Sequence, residues 1–314
     1  MIKNQNPTRK FLFILTLLLG GCGSSNNTPP PTTPTTPTTP TTPTTIYGWG
    51  SSSLEGIDSA IRKELQKNNL TNNFINFAHG GELTYHALVR SGIENIHLTW
   101  DQSLQAYTSS NFPSYGFTSS VKGTFNGKVV VLNNEFKQNR QTYNLHDNEN
   151  NLITFTNGDF QVAPVNYKTA INIVWIGKND INNGIYNAQE VFKRSKAICD
   201  SLDYANGGKC LILTHFGNTD WTKGASNWQA VQSINQFYLN NQTRTISTLD
   251  VANYLYSNRL WLDTGIIPTN QDKINQEQSV LPPSIAANSG HMNEIGYQAV
   301  AKLIIEQLKN TYWL

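Results

Sequence analysis

Thr45-Ile46-Tyr47-Gly48-Trp49-Gly50-Ser51-Ser52-Ser53-Leu54-Glu55-Gly56 runs from an apolar segment into three consecutive serines. Beyond them, Leu54, Ile57, Ile61 and Leu65 recur at three- and four-residue intervals, which is one apolar face of a helix. Strand, tight turn and helix in that order lift a serine hydroxyl out of a sheet. The hydroxyl then lies near a helix N-terminus, where unpaired backbone N–H groups favour negative charge. A serine cluster by itself also serves as a helix cap, so the rest of the chain has to decide between the two.

Three later stretches bear on that choice. Asn76-Phe77-Ala78-His79-Gly80-Gly81-Glu82-Leu83-Thr84 follows a second strand-like run, and Ile173-Val174-Trp175-Ile176-Gly177-Lys178-Asn179-Asp180 is a buried-strand pattern ending in Gly-x-Asn-Asp. His291-Met292-Asn293-Glu294-Ile295-Gly296-Tyr297 opens the last helical pattern. In order and spacing these stretches resemble the four blocks of the SGNH (GDSL) hydrolase family, over most of the chain from residue 45 onward. The family's first block, Gly-Asp-Ser-x-x-x-Gly, fits Gly50 to Gly56 with Ser51 in the aspartate's place, so the resemblance selects Ser52 as nucleophile.

The resemblance implies His291 as the base that a serine hydroxyl needs near neutral pH. It implies an oxyanion hole from the Ser52 N–H, the Gly81 N–H and the Asn179 side chain. Gly81 is preferred to Gly80 because it stands five residues after Asn76. Three residues before the histidine the family carries aspartate, and here that position is Asn288. An asparagine oxygen can accept the imidazole N–H but brings no full charge, and Asp263 or a backbone carbonyl is an alternative orienting group. Among the other histidines, His79 lies close to the second block, and a lone histidine is more often structural.

The first residues read as a targeting segment. Lys3, Arg9 and Lys10 precede the apolar run Phe11 to Leu19, and Leu19-Gly20-Gly21-Cys22 follows. That is a signal peptide over residues 1–21 rather than a membrane span. Its end looks like a bacterial lipobox, implying lipid on Cys22 as a membrane anchor and an extracytoplasmic location. Ser24 in place of aspartate points to the outer membrane if the cell has two. Loss of the three basic residues takes the formal charge from +2 to −1, which gives no support for nucleic-acid binding. Residues 22–45 are dominated by Thr-Thr-Pro repeats and read as an extended tether.

Residues 46–314 suffice for one large domain. Strand-like runs at 45–49, 74–78, 171–176, 210–215 and 245–249 alternate with helical patterns at 54–67, 83–91, 186–203, 226–240 and 293–309. Alternation predicts an α/β fold with a parallel sheet, and the resemblance implies a three-layer α/β/α flavodoxin-like sandwich. Residues from about 100 to 167 break the pattern and predict an inserted β-rich segment, a meander with hairpins at Asn126-Gly127 and Asn157-Gly158. Trp100, Tyr107, Phe112, Tyr115 and Phe117 at its entrance suit either a sugar-stacking surface or a small apolar core.

Cys199 closes a helical pattern and Cys210 opens a strand, and an export compartment favours a disulfide between them over two buried thiols. No cysteine or histidine spacing suggests a metal site, and no glycine-rich motif suggests a nucleotide cofactor, so none is expected. The expected activity is that of a serine esterase removing acyl groups, foremost O-acetyl, from a small molecule or a glycan. The rivals are a lipase or lysophospholipase of the same family and a non-catalytic glycan-binding lipoprotein.

Overall fold

The computed structural model describes residues 45–112, 116–154, 156–185 and 187–314. The signal peptide, Cys22, the tether up to residue 44 and Tyr115 fall outside them. No described helix is long and apolar enough to cross a membrane.

The chain opens with β1 (Thr45–Gly50), α1 (Ser52–Gly56), α2 (Asp58–Lys67), β2 (Asn73–Asn76) and α3 (Thr84–Arg90). Seven strands follow: β3 (Ile96–Asp101), β4 (Ala106–Ser109), β5 (Val121–Phe125), β6 (Lys128–Lys137), β7 (Arg140–His146), β8 (Leu152–Ile153) and β9 (Gly158–Val162). Alternation resumes with β10 (Ile171–Trp175), α4 (Lys178–Asn182), α5 (Ala188–Asp200), β11 (Lys209–Leu213), α6 (Ser226–Asn240) and β12 (Ile246–Leu249). The end of the chain is helical, through α7 (Val251–Leu255), α8 (Asn258–Thr264), α9 (Asn270–Glu277) and α10 (Glu294–Asn310).

β2, β1, β10, β11 and β12 lie side by side in that order, all parallel. Counted along the chain the order is 2-1-3-4-5, the doubly wound arrangement whose direction of winding reverses between β1 and β10. Successive residues of one strand enter opposite cores. Ile173 and Trp175 pack with α2, α8 and α10, while Val174 and Ile176 pack with α5 and α6. Burial on both faces explains why β10 and β11 are mostly apolar, and buried Asn172 is satisfied by the Trp49 indole N–H and the Tyr167 and Ala170 carbonyls. Cys199 and Cys210 form a disulfide that ties the end of α5 to β11, with Cα atoms 5.5 Å apart.

The inserted segment departs from the expected meander. It starts at Ile96, and β4, β3, β9, β5, β6 and β7 form a ring closed by the pairing of Tyr107 in β4 with Tyr143 in β7. Closure removes the exposed strand edges that an open meander would leave. The Asn126-Gly127 turn forms as expected, with both residues at positive φ. Asn157-Gly158 does not make a hairpin, because β8 pairs with β7 whereas β9 pairs with β3 and β5. Asn157 instead accepts the Trp100 N–H, and the Asn126 side chain crosses so close to Gly158 that a Cβ there would stand 2.3 Å from Oδ1.

The four described aromatics at the entrance belong to the barrel core or pack against it. Tyr107, Phe112 and Phe117 are buried in the barrel with Phe125, Tyr143 and Phe160, and Trp100 packs edge-on against Tyr107. Among the described residues of this segment the exposed aromatic is Phe136, near the tip of the β6–β7 hairpin. That hairpin turns through Gln138 and Asn139, both at positive φ and neither glycine.

Candidate active site

Every strand of the parallel sheet ends at the same edge, and at the reversal point β1 and β10 deliver their following residues side by side. Doubly wound sheets bind ligands at this place. Ser51 leaves β1 in extended conformation and its carbonyl accepts the Leu54 and Glu55 N–H groups, closing the first turn of α1. The turn is tight because Gly50 has no side chain: a Cβ would meet Leu54 Cβ at 2.5 Å and the Trp175 carbonyl at 2.9 Å. Ser51 and Ser53 point inward and are buried, leaving Ser52 as the accessible member of the three.

Asn76, at the end of β2, holds the next segment against this elbow. Its Nδ2 donates to the Leu54 carbonyl at 2.9 Å, and its Oδ1 accepts the Ala78 N–H at 3.0 Å. The Gly80 N–H donates to Glu55 Oε2 at 2.8 Å, and a Cβ on Gly80 would stand 3.7 Å from Ser52 Cβ. Gly81 follows at φ +79°, and its N–H has no partner among the described residues. The Ser52 N–H, ahead of the first helical hydrogen bond, is equally unpaired. Asn179 Nδ2 donates to the Glu82 carbonyl at 3.0 Å, which draws the end of β10 onto the same segment and leaves its second amide hydrogen free.

His291 Nε2 lies 2.7 Å from Ser52 Oγ, and His291 Nδ1 lies 2.9 Å from Asn288 Oδ1. The same Oδ1 accepts the backbone N–H groups of Gly290 and His291, both at 3.0 Å. Two N–H donors fix the amide with its oxygen inward, because a flipped amide would set NH₂ against them. Nδ1 must then carry the proton, and Nε2 presents its lone pair to the Ser52 hydroxyl. This is the tautomer a base needs. Burial, followed by the nearby Lys178 charge, pulls the His291 pKa below the ordinary histidine value.

Asp263, the alternative orienting group, is engaged elsewhere, with Tyr254, Arg259 and Lys302. The His79 carbonyl accepts the Glu82 N–H, and its imidazole makes no hydrogen bond with Ser52 or His291 among the described residues. The block-four tyrosine, Tyr297, packs on block one so closely that a Cβ on Gly56 would meet its ring at 2.6 Å.

Two further features leave no mark in the sequence. Glu82 and Arg90 form a buried two-pronged ion pair, with Nε–Oε2 2.9 Å and Nη2–Oε1 2.6 Å, and Arg90 reaches on to Ser119 at the barrel's edge. A cleft of about 910 Å³ runs from Gly81 along the barrel wall, past Phe112, Thr118, Phe136, Arg140 and Gln141. Both link the barrel to the segment carrying Gly81.

Neither a protein-family model nor a curated protein matches the chain. Among solved structures, a GDSL-like lipase from Bacteroides thetaiotaomicron is similar at 13% identity and TM-score 0.44, covering 85% of this chain and 88% of that one. A member of the lipolytic G-D-S-L family from Veillonella parvula is similar at 13% identity and TM-score 0.44, covering 84% and 98%. At these scores the likeness carries no chemistry across, and the reading of the site rests on its own geometry.

Orientation by Asn288 has a pH signature. Asn288→Asp sets a negative charge beside Nδ1 and favours the imidazolium, so the acidic limb of kcat/KM is expected to move up by about one pH unit. Asn288→Ala is expected to lose the imidazole's orienting bond, about 1 kcal/mol or several-fold in rate, and with it the two backbone bonds that shape the His291 turn. Coincident acidic limbs for wild type and Asn288→Asp would separate Asn288 from the base.

Proposed function

We propose that the chain is a serine esterase of the SGNH/GDSL type. The observation carrying this reading is the Ser52–His291–Asn288 relay, with the hydroxyl 2.7 Å from a ring nitrogen whose lone pair faces it. Ser52 Oγ attacks the ester carbonyl as His291 Nε2 takes its proton. The tetrahedral oxyanion is received by the Ser52 and Gly81 N–H groups and the free Asn179 amide hydrogen, each such donor lowering the barrier by roughly 2.7–4 kcal/mol. Collapse expels the alcohol, which takes the proton from the imidazolium. Water, deprotonated by the same His291, then releases the acid from Ser52.

The substrate reading is an acyl ester, foremost an acetyl ester, on a glycan. Its support is the cleft beside Gly81, where the exposed Phe136 ring stands among Asn139, Arg140 and Gln141. A flat apolar face bordered by amides and a guanidinium suits a pyranose ring, whereas a lipase needs a wider apolar lining for an acyl chain. Phe136→Ala is expected to lower kcat/KM on an O-acetylated polysaccharide about tenfold, for roughly 1.5 kcal/mol of lost apolar contact. Turnover of p-nitrophenyl acetate should stay unchanged. Equal loss on both substrates would remove Phe136 from glycan recognition, and faster turnover of long-chain than acetyl esters would favour the lipase reading.

A further inference from the structure

Lys178 is a buried cation that the relay does not use. It begins α4 directly after β10, with 7% of its surface exposed, and its Nζ donates to the Gly290 carbonyl at 3.3 Å. The ammonium stands 3.9 Å over the Phe216 ring, with the Trp221 ring at 5.8 Å. Among the described residues no carboxylate pairs with it. Gly290 is the residue before His291, and its own N–H belongs to the Asn288 turn. The cation is therefore anchored one peptide unit from the base. A positive charge at the first turn of a helix opposes the helix dipole, and burial opposes any charge. Packing alone would be satisfied by an apolar chain of similar length.

The charged and titratable surroundings leave Lys178 as the cation acting on His291. On α1, Glu55 is turned to the Gly80 N–H, and on α4, Asp180 is occupied by the Thr84 N–H and hydroxyl. His79 lies in the segment after β2. His215, after β11, is brought to about 3 by burial and by the Lys178 charge, and so is neutral. Asp220, in the segment between β11 and α6, favours the lysine's charge, while burial draws the Lys178 pKa down to about 7.

We propose that Lys178 is a positioning residue for the base: its ammonium, fixed on the Gly290 carbonyl against Phe216, holds the His291 turn and disfavours imidazolium. The relay thereby keeps a proton-accepting histidine at lower pH than one partnered by aspartate would allow. The sign follows from like charges. A lysine cation lowers the histidine pKa, extending the active range downward, and the effect fades as Lys178 itself loses its proton.

This inference rests on His291 as the base, and its test needs no turnover. The His291 ring resonances of the full chain, assigned with His291→Gln, are followed by NMR from pH 4 to 9. The expected wild-type curve has its main step below the ordinary value of about 6.5 and a smaller second step where Lys178 titrates. Lys178→Met should erase the second step and raise the first by about half a unit to one unit, and Lys178→Arg should keep the low midpoint. A single wild-type step at the ordinary value overturns the proposal even if no variant folds. An unmoved midpoint in folded Lys178→Met overturns it equally. Should the titration behave as expected while wild type hydrolyses no ester, the esterase reading fails and the lysine's effect on His291 stands.

Discussion

His291→Ala is expected to lower kcat/KM for p-nitrophenyl acetate by about 10⁴-fold or more, and Ser52→Ala by a similar factor. Both changes remove the proton transfer that makes a serine oxygen nucleophilic, so their effects should not add. The double variant should be no slower than either single one, with the residual rate supplied by the Ser52 and Gly81 N–H groups and Asn179. The 2.7 Å contact between Nε2 and Oγ is what makes the two act as one unit. Steady-state kinetics on purified variants with unchanged melting curves provide the check. A His291→Ala enzyme within tenfold of wild type would mean that another group accepts the proton.

Arg90→Ala is expected to destabilise the chain by about 3–5 kcal/mol, because it strands the buried Glu82 carboxylate without its cation. The side chains are 8% and 1% exposed, so solvent screens neither partner. The guanidinium also covers Phe117 at 4.8 Å and reaches Ser119, so its loss loosens the barrel from α3. Activity should fall too, since Glu82 follows Gly81 and its carbonyl holds Asn179. Replacing both partners together, Glu82→Leu with Arg90→Met, should recover much of the loss, because no buried charge is then left alone. Urea unfolding separates these outcomes. A cost below about 1 kcal/mol for Arg90→Ala would place the pair among solvent-screened surface contacts.

What the sequence disclosed was local. The run from Ile171 to Trp175 is apolar on both faces apart from Asn172, because helices cover both sides of β10, and that pattern is visible without any partner. The Gly50 turn and the Asn288-to-His291 turn are likewise built within a few residues. Barrel closure depends on Tyr107 meeting Tyr143, a pairing of distant segments that leaves no periodic trace. The Gln138-Asn139 turn lacks the glycine that marks such hairpins, and Asn157-Gly158 carries the mark without the turn. Buried charges were the least legible. Glu82, Arg90 and Lys178 look like surface residues in a sequence, and only the fold shows them enclosed. The choice between Asn288 and Asp263 depends on which side chain reaches Nδ1, and three hydrogen bonds on the Asn288 amide oxygen make it.

If His291 activates Ser52, that hydroxyl reacts with electrophiles that ordinary serines resist. The most direct measurement is covalent capture by a fluorophosphonate, which reacts with activated serines, followed by mass spectrometry of the peptide ending at Arg62. One adduct per chain is expected, on Ser52 rather than Ser51 or Ser53, with none in Ser52→Ala and slow labelling in His291→Ala. Labelling of a different serine, or no labelling of folded wild type, would contradict that activation.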